Sequence, residues 1–170
     1  MNKKKVGLAH GVFDVFHIGH LNFLRECKKK CDVLYVSITD DEYVNKGPTR
    51  PIFNSNYRKK VLSELRCVDK VILSKSYNSE KVILDHEPDL YFKGQDYLNF
   101  KEDFSGNIYR EKNAIKKVGG KIEIIKTELH SSSEIINKKY DIPNLEFIKF
   151  KEKIRPNFIN VLKANLKKIK

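Results

Sequence analysis

This sequence predicts an α/β fold, a doubly wound five-stranded parallel sheet, Rossmann-like, with helices on both faces. Three observations carry that prediction. Short apolar runs of strand length alternate with helical patterns along most of the chain. One of them, Val33-Leu34-Tyr35-Val36-Ser37-Ile38, is almost continuously apolar, as a strand covered on both faces must be. The helical pattern over 108–118 is halted by Gly119-Gly120 directly before another apolar run.

Taken in order, the elements are a strand over 5–9 and a helix over 20–30, with Leu21, Leu24 and Cys27 on one stripe. A strand over 33–38, a helix over 56–65, a strand over 70–73 and a helix over 79–86 follow. A strand over 90–93, the helix over 108–118, a strand over 121–125 and a helix over 132–140 complete the set. Parallel strands joined through helices imply right-handed crossovers. The turn-like Asp141-Ile142-Pro143-Asn144 closes a domain over 1–144. Beyond it, 145–170 is a basic, weakly amphipathic extension, either a further helix or a linker.

Composition narrows the function classes. A chain of 170 residues with 40% apolar and 33% charged residues has the balance of one soluble globular domain. No run approaches the roughly 20 apolar residues of a membrane-spanning helix. The basic start is followed by too short an apolar stretch to be a signal peptide, since that stretch meets Asp14 at once. Three cysteines, Cys27, Cys31 and Cys67, are an odd number without a secretory signal, which predicts reduced thiols and a cytoplasmic protein. The net charge of +12 taken alone suggests a nucleic-acid partner. However, 146–170 carries 8 basic and 2 acidic residues, a net +6, and Lys3, Lys4 and Lys5 add three more. The core is nearly balanced and has to be judged by its motifs.

In an open α/β sheet, ligands bind beyond the carboxyl ends of the strands. The sharpest polar cluster there is Gly11-Val12-Phe13-Asp14-Val15-Phe16-His17-Ile18-Gly19-His20. Gly11 permits a tight turn and the close approach of a ligand. His17 and His20 are three apart at the mouth of a helix, where N–H groups and the helix dipole favour an anion, which suits a polyphosphate. The competing readings are a hydrogen-bonded surface pair or the start of a zinc site. Zinc needs further ligands at matching spacing, and Cys27-x-x-x-Cys31 falls inside the helix as small buried hydrophobes. Ser131-Ser132-Ser133-Glu134 reads as a capping box and a second anion site. Asn45-Lys46-Gly47-Pro48-Thr49-Arg50-Pro51 is a loop from which Lys46 and Arg50 can reach inward, or remain as solvated charges. Asp96, beside Gly94, is placed to touch a base or ribose, or to make an Asx turn. The acid pair Asp40-Asp41 reads as a helix start rather than a metal site, and His10 as a third imidazole or a packed one.

The run Gly-x-Phe-Asp-x-x-His-x-Gly-His resembles the signature of the cytidylyltransferase-like nucleotidyltransferases. The likeness extends over 6–140. Arg66-Cys67-Val68-Asp69-Lys70-Val71 resembles a motif of the glycerol-phosphate branch, and Phe92-Lys93-Gly94-Gln95-Asp96-Tyr97 one of the heptose-phosphate branch. Ser131-Ser132-Ser133 stands where such enzymes carry a hydroxyl triplet. Lys126 and Leu129 replace the arginine and glycine of the glycerol-phosphate branch, which favours the heptose-like one. The resemblance implies an attack by an acceptor phosphate on the α-phosphorus of ATP or CTP, releasing pyrophosphate, with Mg²⁺ accompanying the nucleotide and no protein-bound metal.

Under that resemblance His17, His20 and Lys46 are the catalytic residues. Gly11, Val12, Phe13, Asp14, Gly19, Gly94, Asp96, Lys126, Ser131, Ser132 and Ser133 hold the nucleotide. Arg50, Arg58 and Lys93 meet the acceptor, a phosphorylated sugar or a polyol phosphate. A homodimer with 66–69 near its interface, and a sugar-kinase activity fused or separate, are further implications. No membrane partner is expected. A nucleic-acid-binding module working through the basic extension remains the reading from another class.

Overall fold

The computed structural model describes residues 3–46, 50–98 and 107–127. The elements run β1 (Val6–Gly11), α1 (Ile18–Lys28), β2 (Val33–Thr39), α2 (Ser55–Ser63), β3 (Lys70–Ser74), α3 (Glu80–His86), β4 (Leu90–Gly94), α4 (Asn107–Lys117) and β5 (Lys121–Ile125). Single 3₁₀ turns follow β2 (Asp41–Tyr43) and β4 (Gln95–Leu98). All five strands are parallel, in the order β3-β2-β1-β4-β5, so the chain reverses its direction of winding between β1 and β4. That is the doubly wound arrangement the sequence predicts, with its switch point beside β1.

Side chains alternate across the sheet and divide the core in two. Ala9, Leu34, Val36, Ile38, Leu90 and Phe92 pack against Leu24 and Cys27 of α1 and Leu62 of α2. Leu8 and Tyr91 face the other way, onto Val82 and Ile83 of α3 and Ala114 and Ile115 of α4.

Four strands run one or two residues past their expected ends. In β1 the addition is His10 and Gly11, paired in register with Ser37 and Ile38. Polar residues and glycine have poor strand propensity, but ladder bonds to β2 override it. Helix α1 opens two residues early because His17 caps it, and ends at Lys28. Cys31 therefore lies beyond the helix, not inside it. Helix α4 ends as Gly119-Gly120 requires: Gly119 is left-handed (φ 76°), its N–H reaches Lys116 O, and the Gly120 N–H reaches Ile115 O. The expected helix over 132–140 and the extension over 145–170 lie outside the described residues.

At the amino edge of the sheet, aspartates hold the strand starts. Asp89 accepts the Val6 N–H at 2.8 Å, a bond that keeps its carboxyl below the ordinary range. Asp69 accepts the Leu34 N–H and the Lys28 ammonium within the same chain. All three cysteines are free, and burial raises each thiol pKa, that of Cys31 to about 11. None has the character of a reactive thiolate.

A Cβ added at Gly7 would meet Phe92 Cε2 and lie 2.8 Å from Cys31 Sγ, both in a packed core. Gly7→Ala is expected to lose about 1–3 kcal/mol of stability through overpacking. A urea midpoint equal to that of the parent protein would contradict this packing.

Candidate functional site

The loop from Gly11 to α1 is built around one carboxylate. Asp14 is 2% exposed and accepts three backbone N–H bonds, from Val15 at 3.1 Å, Ile52 at 2.9 Å and Phe53 at 3.1 Å. Arg50 Nε lies 3.3 Å from its Oδ2. On either side of Asp14, Phe13 (φ 51°) and Val15 (φ 45°) occupy the left-handed region, which is costly for an aromatic and more so for a β-branched residue. The Asp14 bonds hold that conformation in place.

What the loop delivers is a pair of imidazoles. His17 caps α1, its Nδ1 accepting the Gly19 N–H at 3.1 Å, so a neutral ring carries its proton on Nε2. His20 stacks on His17 with centroids 3.9 Å apart, and lies between Phe13 edge-on (5.3 Å) and Phe16 (5.5 Å). Burial first, then the nearby His17 and Lys46, lower the His20 pKa to about 3 against the pull of Asp14. In the protein alone His20 is therefore a neutral donor at pH 7, next to the head of a helix and the first β-strand of the switch point.

A knot of polar bonds joins this loop to the next two. Arg58, 2% exposed, donates from Nε to Phe53 O (2.8 Å), from Nη1 to Val12 O (2.5 Å), and from Nη2 to Thr39 O (2.8 Å) and Asp41 Oδ1 (2.7 Å). Asp41 also accepts the Ser55 N–H, and Asp40 accepts the Ser55 hydroxyl. Expected at the acceptor, Arg58 is instead spent on carbonyls and a carboxylate that tie three loops together. Arg50 and Asp14, expected to meet acceptor and nucleotide, are paired to each other. Asp40 caps the turn Asp41–Tyr43, in keeping with a helix-starting acid pair.

On the opposite face, the ends of β1, β2 and β4 carry a second polar group. His10 contacts Ser37 Oγ at 3.0 Å through Nδ1 and Thr39 Oγ1 at 3.4 Å through Nε2. Burial, then Lys93, lower its pKa to about 4 against the pull of Glu111. It is packed and neutral, not a cation for a phosphate. Lys93 Nζ is 2.8 Å from Glu111 Oε2 and sits over the rings of Tyr91 (5.0 Å) and Tyr97 (4.9 Å).

Of the other expected residues, Gly19 is buried in the first turn of α1 and Gly94 ends β4. Lys126 is exposed just past β5 and Lys46 is exposed before the segment 47–49. Asp96 lies in the turn after β4, while its side chain, the segment 47–49 and Ser131, Ser132 and Ser133 lie outside the described residues. Glu111, Ser79 and Tyr91 escaped the sequence reading. A signal existed: Glu111, Ala114 and Ile115 share the inward stripe of α4, and a carboxylate on such a stripe needs buried partners.

Among the described residues no three His, Cys, Asp or Glu side chains gather into a metal site. Asp14 and Asp41 are already engaged, so these residues make no cage for a resident Mg²⁺. No helix among them is long and apolar enough to cross a membrane.

Residues 8–138 match the cytidylyltransferase-like family, and the chain belongs to it. The bifunctional protein HldE of Granulibacter bethesdensis is 39% identical over 122 residues, 71% of this chain but 24% of HldE, so the chain spans about a quarter of that relative. FAD synthase of Thermoplasma acidophilum is 32% identical over 136 residues, 78% of this chain and 91% of the enzyme. The crystal structure of a lipopolysaccharide core biosynthesis protein from Thermoplasma volcanium superposes with a TM-score of 0.59 at 29% identity, covering 76% of this chain and all of that one. The chain is a nucleotidyltransferase.

Two outcomes follow from the site. Arg58→Met leaves buried carbonyls without donors and is expected to lose about 2–4 kcal/mol of stability. An unchanged melting temperature would return Arg58 to the role of a free acceptor contact. Separately, between pH 6.5 and about 4 the unfolded chain protonates His10 and His20 while the native state does not, so stability falls with pH across that window. The loss is on the order of 1–2 kcal/mol per histidine at pH 5. Urea midpoints at pH 7 and pH 5 measure it, and His10→Asn should shrink the difference.

Proposed function

We propose that this member of the cytidylyltransferase-like family transfers AMP from ATP to a phosphate monoester, a sugar phosphate first among them, and releases pyrophosphate. The observation that carries the reading is the stacked His17–His20 pair at the head of α1, next to the switch point of the sheet. An acceptor phosphate oxygen attacks the α-phosphorus; that P–O bond forms as the bond to the bridging oxygen of pyrophosphate breaks. A phosphate monoester is ionised at neutral pH, so no general base is required, and catalysis reduces to alignment and charge neutralisation. His17 and His20 donate N–H bonds to the triphosphate oxygens, and the arriving anion favours protonation of either ring. Lys46 bridges donor and acceptor.

The nucleotide is further held by the Gly11–Asp14 loop, Gly19, Gly94, Asp96, Lys126 and the 131–133 serines. Mg²⁺ enters as part of the nucleotide. The catalytic domain is 1–144, with 145–170 as its basic extension, in a cytoplasmic enzyme that forms a homodimer. HldE is called bifunctional, which supports a place for such a domain beside a second activity; the family resemblance makes that a sugar kinase. A second reading is supported by the FAD synthase match, which covers 91% of that enzyme: its product is also an AMP joined to a phosphate monoester, FMN.

The test is a pyrophosphate-release screen of ATP, CTP, GTP and UTP against sugar phosphates, polyol phosphates and FMN. Turnover with ATP and a sugar phosphate is expected; turnover with FMN selects the second reading, and a preference for CTP overturns both. Replacing His17 or His20 by Ala should lower kcat by roughly 10²–10³, the scale for one lost transition-state donor. Near-normal turnover would remove that histidine from the mechanism. Salt-steep RNA or DNA binding that vanishes with 145–170, in a core without turnover, would move the function to nucleic acid.

A further inference from the structure

The polar group beneath β4 is wired in a single direction. Ser79 Oγ lies 2.7 Å from Glu111 Oε1 and donates to it, so its one proton is spent there. The Tyr91 hydroxyl, 2.6 Å from the same oxygen, must then donate to Ser79. The other carboxylate oxygen, Oε2, faces Lys93 Nζ at 2.8 Å. Glu111 is 4% exposed and Tyr91 wholly buried, while the Lys93 side chain is 19% exposed at the mouth of the sheet. Hydrogen bonds from the core therefore converge on Glu111, whose second oxygen is held by an ion pair with one partly open ammonium. Its nitrogen lies over two rings, and an ammonium carries three N–H donors.

The faces of the sheet give this ammonium a reactant. His17 and His20 stand with α1 on one face; Lys93 and Glu111 stand with α4 on the other. An in-line displacement puts the attacking oxygen and the departing pyrophosphate on opposite sides of the α-phosphorus. With pyrophosphate at α1, the attacking phosphate approaches from the α4 side. Resting on the transferase reading above, we propose that Glu111 is a positioning residue, holding Lys93 at the end of β4 as the fixed cation for the acceptor's phosphate. Left unpaired, the four-carbon stem of Lys93 would sample many rotamers, and its hold on the acceptor would weaken without any change at the triphosphate.

Steady-state kinetics of the full chain separate the alternatives. In Glu111→Gln the acceptor KM should rise about tenfold or more while the ATP KM stays within about twofold. Lys93→Met should raise the acceptor KM at least as much, and adding Glu111→Gln to it should cause no further rise, because Glu111 acts only through Lys93. Should Glu111→Gln fail to fold, Ser79→Ala reads the same wiring: Ser79 makes no side-chain cap to α3, and its loss should raise the acceptor KM about threefold. The inference is overturned if the acceptor KM is unmoved, if both KM values rise while kcat and the melting temperature fall together, or if the two substitutions multiply. A parent enzyme that turns over no nucleotide with any acceptor would instead bring down the transferase reading beneath it.

Discussion

Asp14 is the constraint on which the rest of the site depends. One buried carboxylate accepts N–H groups from its own loop and from the segment before α2, and pairs with Arg50. Without those bonds nothing would keep Phe13 and Val15 at positive φ, since neither is a residue that adopts it cheaply. Relaxing them would turn the chain before it reaches His17, and the helix cap would go with it. Arg58 closes the same knot from below by gathering carbonyls from Val12, Thr39 and Phe53. The ions that look most available for substrate in the sequence are therefore occupied in building the platform on which the imidazoles stand.

The platform explains why His20 is neutral. His20 is packed by aromatic rings and shares its surroundings with His17 and Lys46, so a proton is strongly disfavoured there. A neutral ring still donates one N–H, and a polyphosphate brings its own negative charge. On the proposed reading, the site gains charge as the anion binds rather than carrying it beforehand, which limits repulsion between the two rings. His10, on the other face, is lowered in the same direction but is bonded to Ser37 and Thr39, and its role stays within the fold.

Much of this was legible before any coordinates. Alternating strand-length and helical segments specify the sheet, because a parallel strand must be apolar on both faces and must be followed by a crossover. The His17–His20 spacing and the Gly119-Gly120 stop are local rules, and local rules survive folding. What could not be read is how side chains distant in sequence settle their charges. Arg58 pairs with Asp41 and Val12, and Lys93 with Glu111. Which of several cations meets substrate and which is consumed inside the protein depends on burial, and burial follows from register and helix orientation that composition does not encode. Glu111 is the instructive case: its place on an apolar stripe announced a buried partner, but only the fold says that the partner is Lys93.

In the reaction proposed above, the two faces of the sheet divide the work. There the α1–α2 face meets the group common to every nucleoside triphosphate, with backbone geometry, a helix terminus and two rings. The α3–α4 face presents a lysine on a long stem, set by a glutamate and a serine that come from two different helices and their caps. Changing either of those would move the cation without touching the triphosphate grip. A fold arranged this way can keep its chemistry at the α-phosphorus while the acceptor changes from a sugar phosphate to a flavin phosphate. On that proposal, choosing between acceptors falls to the α4 side of the switch point.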